Sequence, residues 1–328
     1  MASRLRLRSS SLRRTLLAAL VAASVAVPVS GAARPAAVPA PAPAALTAMR
    51  TATPAALDAR YAAGRDGILA AERMAAEYGD HARAAELRTL ADPAHHFLSF
   101  DGRDGGRTVE VLGDLSRADR VAVLVPGSDT SLDTYERFRA DAVALEQQLG
   151  PRSAVVAWLG YETPATVSPE VLTSGRADQA APLLQRFVQE LVALKPAVRI
   201  SLLCHSYGSV VCARAASGLD VADIILYGSP GIGTGAEDVA GLHTRATVWA
   251  GRGADDWIAD VPHVVLQLPF VTVGFGVDPV SPTFGARVFA AGGGGHSDYL
   301  KPGSVSLKNI ARIVSGETVP TVQEARHA

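Results

Sequence analysis

From Arg120 onward, short unbroken apolar runs alternate with amphipathic stretches. The runs fall at residues 121–125, 154–159, 198–203, 223–227 and 246–250. A strand apolar on both sides is one buried on both sides, as in a parallel sheet sandwiched between helices. Between the runs, 135–149, 179–194 and 207–217 carry apolar residues at helical spacing. An edge strand at 287–290 and a closing helix at 306–314 complete the alternation. The fold class predicted is α/β, with a mostly parallel sheet covered by helices on both faces. Ahead of this body, 56–78 predicts a cover helix running past Gly79 toward Leu90. His95, His96, Leu98 and Phe100 approach a strand, and a glycine-rich turn at 101–106 separates it from another at 108–112.

The first 32 residues interrupt that picture. Arg4, Arg6, Arg8, Arg13 and Arg14 precede an apolar run at 15–29 with no acidic residue, as in an export signal. Ser30 and Ala32 suit a cleavage site before Ala33, and Arg13-Arg14-Thr15-Leu16-Leu17 resembles a twin-arginine signal. The run is short for a bilayer span and contains Pro28, which disfavours a retained anchor. The protein is therefore expected to be secreted and extracellular, with no membrane span after processing. Residues 33–53, mostly Ala, Pro, Val and Thr, are expected to form a disordered spacer, and 54–328 a single domain. Five of the 31 basic residues and none of the 32 acidic ones lie in the signal, which leaves 26 against 32 and a net charge of about −6. Nothing in that balance calls for a nucleic acid or an anionic membrane as partner. Cys204 and Cys212 are the two cysteines. Export permits a bridge, but their placement across a strand-to-helix corner makes its geometry demanding, and two buried free thiols are expected.

The chemistry concentrates in Cys204-His205-Ser206-Tyr207-Gly208, where a buried strand runs straight into a helix. Such a corner forces its central residue into a strained conformation, lifts the Ser206 hydroxyl above the sheet and tolerates little bulk two positions away on either side. Gly208 satisfies one side; Cys204 stands where glycine is usual. The Tyr207 backbone N–H would face an oxyanion formed on attack. A second donor is expected from the loop at 125–130, where Gly127 lets the main chain come close; Ser128 N–H is preferred, with Asp129 as alternative.

A hydroxyl nucleophile needs a base, and imidazole titrates near neutrality. Among eight histidines, His296 follows four glycines between the last strand and the last helix, where the chain returns over the corner. His205 is read as a packing or loop-orienting residue. A carboxylate must hold the other ring nitrogen. Asp256 is preferred, anchored by Trp257 and Ile258, over Asp255, with Glu237, Asp238 and Asp260 as lesser options. No metal-binding or nucleotide-binding spacing occurs, and the His95-His96 pair lacks a third ligand, so no cofactor is expected.

With Val-Leu-Val-Pro-Gly at 123–127, Cys-His-Ser-Tyr-Gly-Ser at 204–209, Gly-Ser-Pro-Gly at 228–231, Asp256-Trp257-Ile258, Asp278-Pro279 with Phe284-Gly285, and Gly-His-Ser-Asp-Tyr-Leu at 295–300, the chain resembles the α/β-hydrolase superfamily. More narrowly, it is similar to an actinobacterial family of unknown function. The resemblance implies a catalytic set of Ser206, Asp256 and His296. The expected activity is hydrolysis of a carboxylic ester or lipid. An amidase or peptidase with the same triad, or a non-catalytic surface protein on the same fold, are the alternatives. The apolar stretches at 268–271 and 273–277 admit two readings, part of a lid or acyl pocket, and ordinary strand packing.

Overall fold

The computed structural model describes residues 38–233, 235–267 and 272–319. The expected signal at 1–32 and the first residues of the spacer lie outside them. Residues 38–53 contain no helix or strand, yet Val38, Ala40, Met49 and Ala52 pack partly buried against the body. These few apolar side chains find core surface to cover.

Helix α1 (Pro54–Tyr78) starts with Thr53 capping the Ala56 N–H and Pro54 in the first turn. It stops at Gly79, whose φ of 93° is the left-handed conformation that ends helices. Asp80 then caps a separate helix, α2 (His81–Leu90), so the single long helix expected from the pattern is two. Strands β1 (His96–Asp101) and β2 (Arg107–Leu112) form an antiparallel hairpin. There follow β3 (Arg120–Val125), α3 (Tyr135–Leu149), β4 (Ser153–Leu159), α4 (Gly175–Leu194), β5 (Arg199–His205), α5 (Gly208–Ala215), β6 (Asp223–Tyr227) and β7 (Thr247–Gly251). A two-residue hairpin of β8 (Leu266–Gln267) and β9 (Thr272–Val273), the edge strand β10 (Arg287–Val288) and α6 (Val305–Ser315) close the chain.

The eight strands of the main sheet lie in the order β1-β2-β4-β3-β5-β6-β7-β10. From β4 to β10 every pairing is parallel, and β2 joins β4 antiparallel. Alternation along each strand divides the core in two. Val121, Val123, Ile200 and Leu202 face Leu184, Val188 and Val210 of α4 and α5. Ala122, Leu124, Leu203 and Ile225 face Leu145 of α3 and Ile310 and Val314 of α6. With helices filling both sides, the substrate-accessible edge of the sheet is the row of loops beyond the strands' C-terminal ends. No helix among the described residues is long and apolar enough to cross a membrane.

Cys204 and Cys212 are joined in a disulfide, contrary to the expectation of free thiols. Cys204 points from the end of β5 onto the same face as α5, and the tight corner brings the second turn of that helix back over it, leaving their Cα atoms 6.4 Å apart.

Candidate active site

β5 turns into α5 at Ser206, whose φ of 51° is positive for a residue with a Cβ. Such a backbone costs on the order of 1–3 kcal/mol and persists only where its surroundings hold it. Here the Ser206 N–H donates to the Tyr227 carbonyl at 3.0 Å, and two glycines give the corner room. A Cβ on Gly208 would stand 2.5 Å from the Val125 carbonyl oxygen, and one on Gly127 2.7 Å from the Ser206 Cβ. Cys204 fits where glycine is usual because its side chain is drawn down to Cys212 and fully buried.

The loop between β10 and α6 brings His296 over this corner. Its Nε2 lies 2.9 Å from Ser206 Oγ, and its Nδ1 lies 2.9 and 3.1 Å from Asp256 Oδ1 and Oδ2. Asp256 is 2% exposed, just beyond β7, and accepts further hydrogen bonds from the Ile258 N–H at 2.9 Å and the Tyr299 hydroxyl at 2.5 Å. Burial alone would raise its pKa, but the hydrogen bonds from His296, Tyr299 and Ile258 outweigh that and hold the carboxyl below its usual range. Asp255, exposed, accepts from the Gly294 N–H at 3.3 Å and helps shape the histidine loop instead. Glu237, Asp238 and Asp260 are exposed and are not brought to His296.

His205 is partly buried beside the pair. Its Nε2 lies 2.7 Å from the His296 carbonyl oxygen, and its ring packs against those of His296, Tyr227 and Tyr299. Burial, aided by the adjacent His296, pushes its pKa down to about 4. At neutral pH it is therefore an uncharged ring donating its N–H to the main chain of the histidine loop, in keeping with the loop-orienting reading.

In the β3 loop, the Asp129 N–H is already donated to the Pro164 carbonyl at 3.1 Å. The Ser128 and Tyr207 N–H groups have no hydrogen-bond acceptor among the described residues. Between the two donors considered for this loop, the structure leaves Ser128 available. The Tyr207 side chain runs the other way, donating to the Thr173 carbonyl at 2.7 Å and accepting from the Ala177 N–H at 3.2 Å.

Two side chains differ from their sequence reading. Trp257 does not anchor Asp256: it is 51% exposed, with its ring 4.7 Å from that of His296. Tyr299, three residues after His296, carries no mark of a site residue in the sequence, since a tyrosine in an apolar context reads as core. Its hydroxyl accepts from the Gly253 N–H at 2.9 Å while donating to Asp256. Phe275 packs edge-on against Tyr207 and is core, whereas 268–271 lie outside the described residues. His95 sits 3.0 Å from Glu110 and His96 stacks on Tyr61, and no cluster among the described residues is arranged to hold a metal ion.

The chain is 29% identical over 260 residues to the uncharacterized protein Rv2079 of Mycobacterium tuberculosis, covering 68% of this chain and 39% of that one. It is 33% identical over 175 residues to the uncharacterized protein Mb0988c of Mycobacterium bovis, covering 46% and 65%. The chain thus spans less than two thirds of the length of either relative. Among solved structures, a member of the a/b serine hydrolases without lid from Xanthomonas campestris is 17% identical with a TM-score of 0.44, covering 70% of this chain and 97% of that one. The esterase LipW from Mycobacterium marinum is 15% identical with a TM-score of 0.41, covering 76% and 88%. Both likenesses are too distant to speak to chemistry. Residues 101–266, half of the chain and including Ser206 and Asp256, match the family described as Alpha/beta hydrolase, and the chain belongs to that family.

Proposed function

We propose that the protein is a serine hydrolase that cleaves carboxylic esters through an acyl-enzyme. The observation that carries this is the continuous path from Ser206 Oγ to His296 Nε2 at 2.9 Å and from His296 Nδ1 to Asp256 at 2.9 Å, at a corner whose central residue holds a positive φ. Ser206 Oγ attacks the ester carbonyl while His296 Nε2 takes the hydroxyl proton. Asp256 holds the Nδ1–H, fixes the tautomer and stabilises the imidazolium. The oxyanion is received by the Ser128 and Tyr207 N–H groups, each without another acceptor among the described residues. His296 then protonates the departing alkoxide, and a water activated by the same ring releases the acid and restores Ser206.

Secretion belongs to the same reading. A disulfide across the corner suits a compartment where disulfides persist, which agrees with the export-like start of the sequence.

A fluorophosphonate probe tests the chemistry. Folded wild-type protein is expected to label at Ser206, and Ser206→Ala to abolish labelling. A folded wild type that does not label would defeat the reading. Faster cleavage of a peptide p-nitroanilide than of p-nitrophenyl esters would move it from esters to amides.

A further inference from the structure

Six of the nine exposed large apolar side chains among the described residues leave the sheet at the edge where Ser206 lies: Val167 and Leu172 after β4, and Trp257, Val264, Val265 and Leu266 after β7. Trp257 lies against the His296 ring, and the others sit on loops tied to the residues that flank the site. The Thr166 N–H donates to Asp129, next to Ser128, at 2.9 Å. Thr173, next to Leu172, accepts the Tyr207 hydroxyl, and the Leu172 carbonyl accepts the Gly274 N–H at 2.8 Å, which ties this loop to the β8–β9 hairpin. Trp257 completes the rim against the His296 ring. Clustered exposed apolar groups of this kind mark a binding surface.

We propose that this rim seats the protein on a zwitterionic lipid surface, and that the ester it cleaves is an acyl lipid drawn from that surface. The proposal rests on Ser206 and His296 being the reacting pair. Two observations favour lipid over a protein partner. Because Trp257 touches His296, anything resting on the rim covers the mouth of the site; a protein there would block turnover, whereas a lipid surface supplies substrate. The rim segments 163–173 and 255–267 contain no Lys or Arg, and Asp255 and Asp260 stand exposed beside Trp257. That charge pattern offers no attraction to anionic headgroups and leaves apolar insertion, with an interfacial tryptophan, as the driving force.

Binding is measured apart from chemistry by using the secreted, processed protein carrying Ser206→Ala and phosphatidylcholine vesicles as the probe. Trp158 and Trp249 are 2% and 6% exposed, so Trp257 reports contact. Flotation with the vesicles and a blue shift of tryptophan emission are expected, the shift being lost in Trp257→Phe. Leu266→Asp is expected to weaken partitioning about tenfold or more, from the lost burial of one large side chain. Leu183→Asp, on an exposed site of α4 away from the rim, is expected to leave it unchanged. The proposal is overturned by absence of vesicle binding, by equal loss in the two Asp variants, or by Leu266→Asp dissociating a dimer without altering partitioning. The last result would make the rim a contact between two copies. Because Ser206→Ala cannot turn over, these outcomes are independent of fluorophosphonate labelling, which alone decides the underlying chemistry.

Discussion

Replacing Tyr299 by phenylalanine removes one oxygen from beneath the candidate acid and should be felt in both stability and rate. The hydroxyl donates to Asp256 Oδ2 at 2.5 Å and accepts from the Gly253 N–H at 2.9 Å. Burial and the neighbouring carboxylate push the phenol above its usual range, so it remains a donor throughout any practical assay. A hydrogen bond to a buried charge contributes about 1.5–3 kcal/mol, and the orphaned Gly253 N–H adds a smaller cost. A loss of roughly 2–3 kcal/mol at pH 7 is expected from urea unfolding. The sign of the pH dependence follows from the depressed folded pKa of Asp256. Its contribution is present above the unfolded carboxylate value near 4 and disappears as pH falls through the folded value. The difference between wild type and Tyr299→Phe should therefore shrink on acidification toward that of a neutral hydrogen bond, about 1 kcal/mol. Two donors still hold Asp256, so kcat on a p-nitrophenyl ester should fall about tenfold, far less than removal of the carboxylate would cause. A stability change under about 0.5 kcal/mol at pH 7, or one equal at both ends of the pH range, would refute this account of how the carboxylate is held.

Asp256→Asn should lower kcat by as much as about 10⁴-fold, while Asp255→Asn, which loses one exposed contact to the histidine loop, stays within a few-fold of wild type; steady-state kinetics on both variants decides. Intact mass under non-reducing conditions should be about two daltons below that of the reduced chain, and reduction should cost about 2.5 kcal/mol of stability for a bridge spanning eight positions. His205, pushed down to about 4, stays neutral in the folded protein where the unfolded chain would protonate it. It therefore contributes stability that is fully present above about pH 6.5 and is lost as pH falls toward 4, about 3 kcal/mol in all. Asp141, pushed up to about 7 by burial, acts in the opposite sense in wild type and variant alike. The wild type minus His205→Gln difference, from urea curves across that window, isolates the histidine, and parallel curves would show that it does not titrate as described.

Much of the architecture was legible because it depends on local periodicity. Continuous apolar runs identify strands buried on both faces, and β3 through β7 appear within a few residues of where those runs lie. The misreadings occur where the outcome hinges on local backbone detail or short pairings. Gly79 inside a helical pattern passes for a tolerated interruption, yet its left-handed conformation ends α1. The sequence pattern predicts an edge strand to residue 290, but pairing with β7 is in register at Arg287 and Val288 and ends with the Phe289 N–H on the Ala250 carbonyl.

Ser206 and His296 are legible in the sequence because a strand-to-helix corner and a glycine-rich return loop leave local marks, and the apolar character of its neighbours favours Asp256 over Asp255. What separated those two carboxylates in space was tertiary: Asp256 is sealed beneath the His296 ring with three donors, while Asp255 faces solvent. The bridge between Cys204 and Cys212, the Tyr299 contact to Asp256 and the apolar rim around the mouth were likewise decided only by folding. Each joins residues whose proximity depends on the turn of a corner or on segments far apart in the chain, and pattern along a sequence records which face a side chain occupies, never which distant group it will meet.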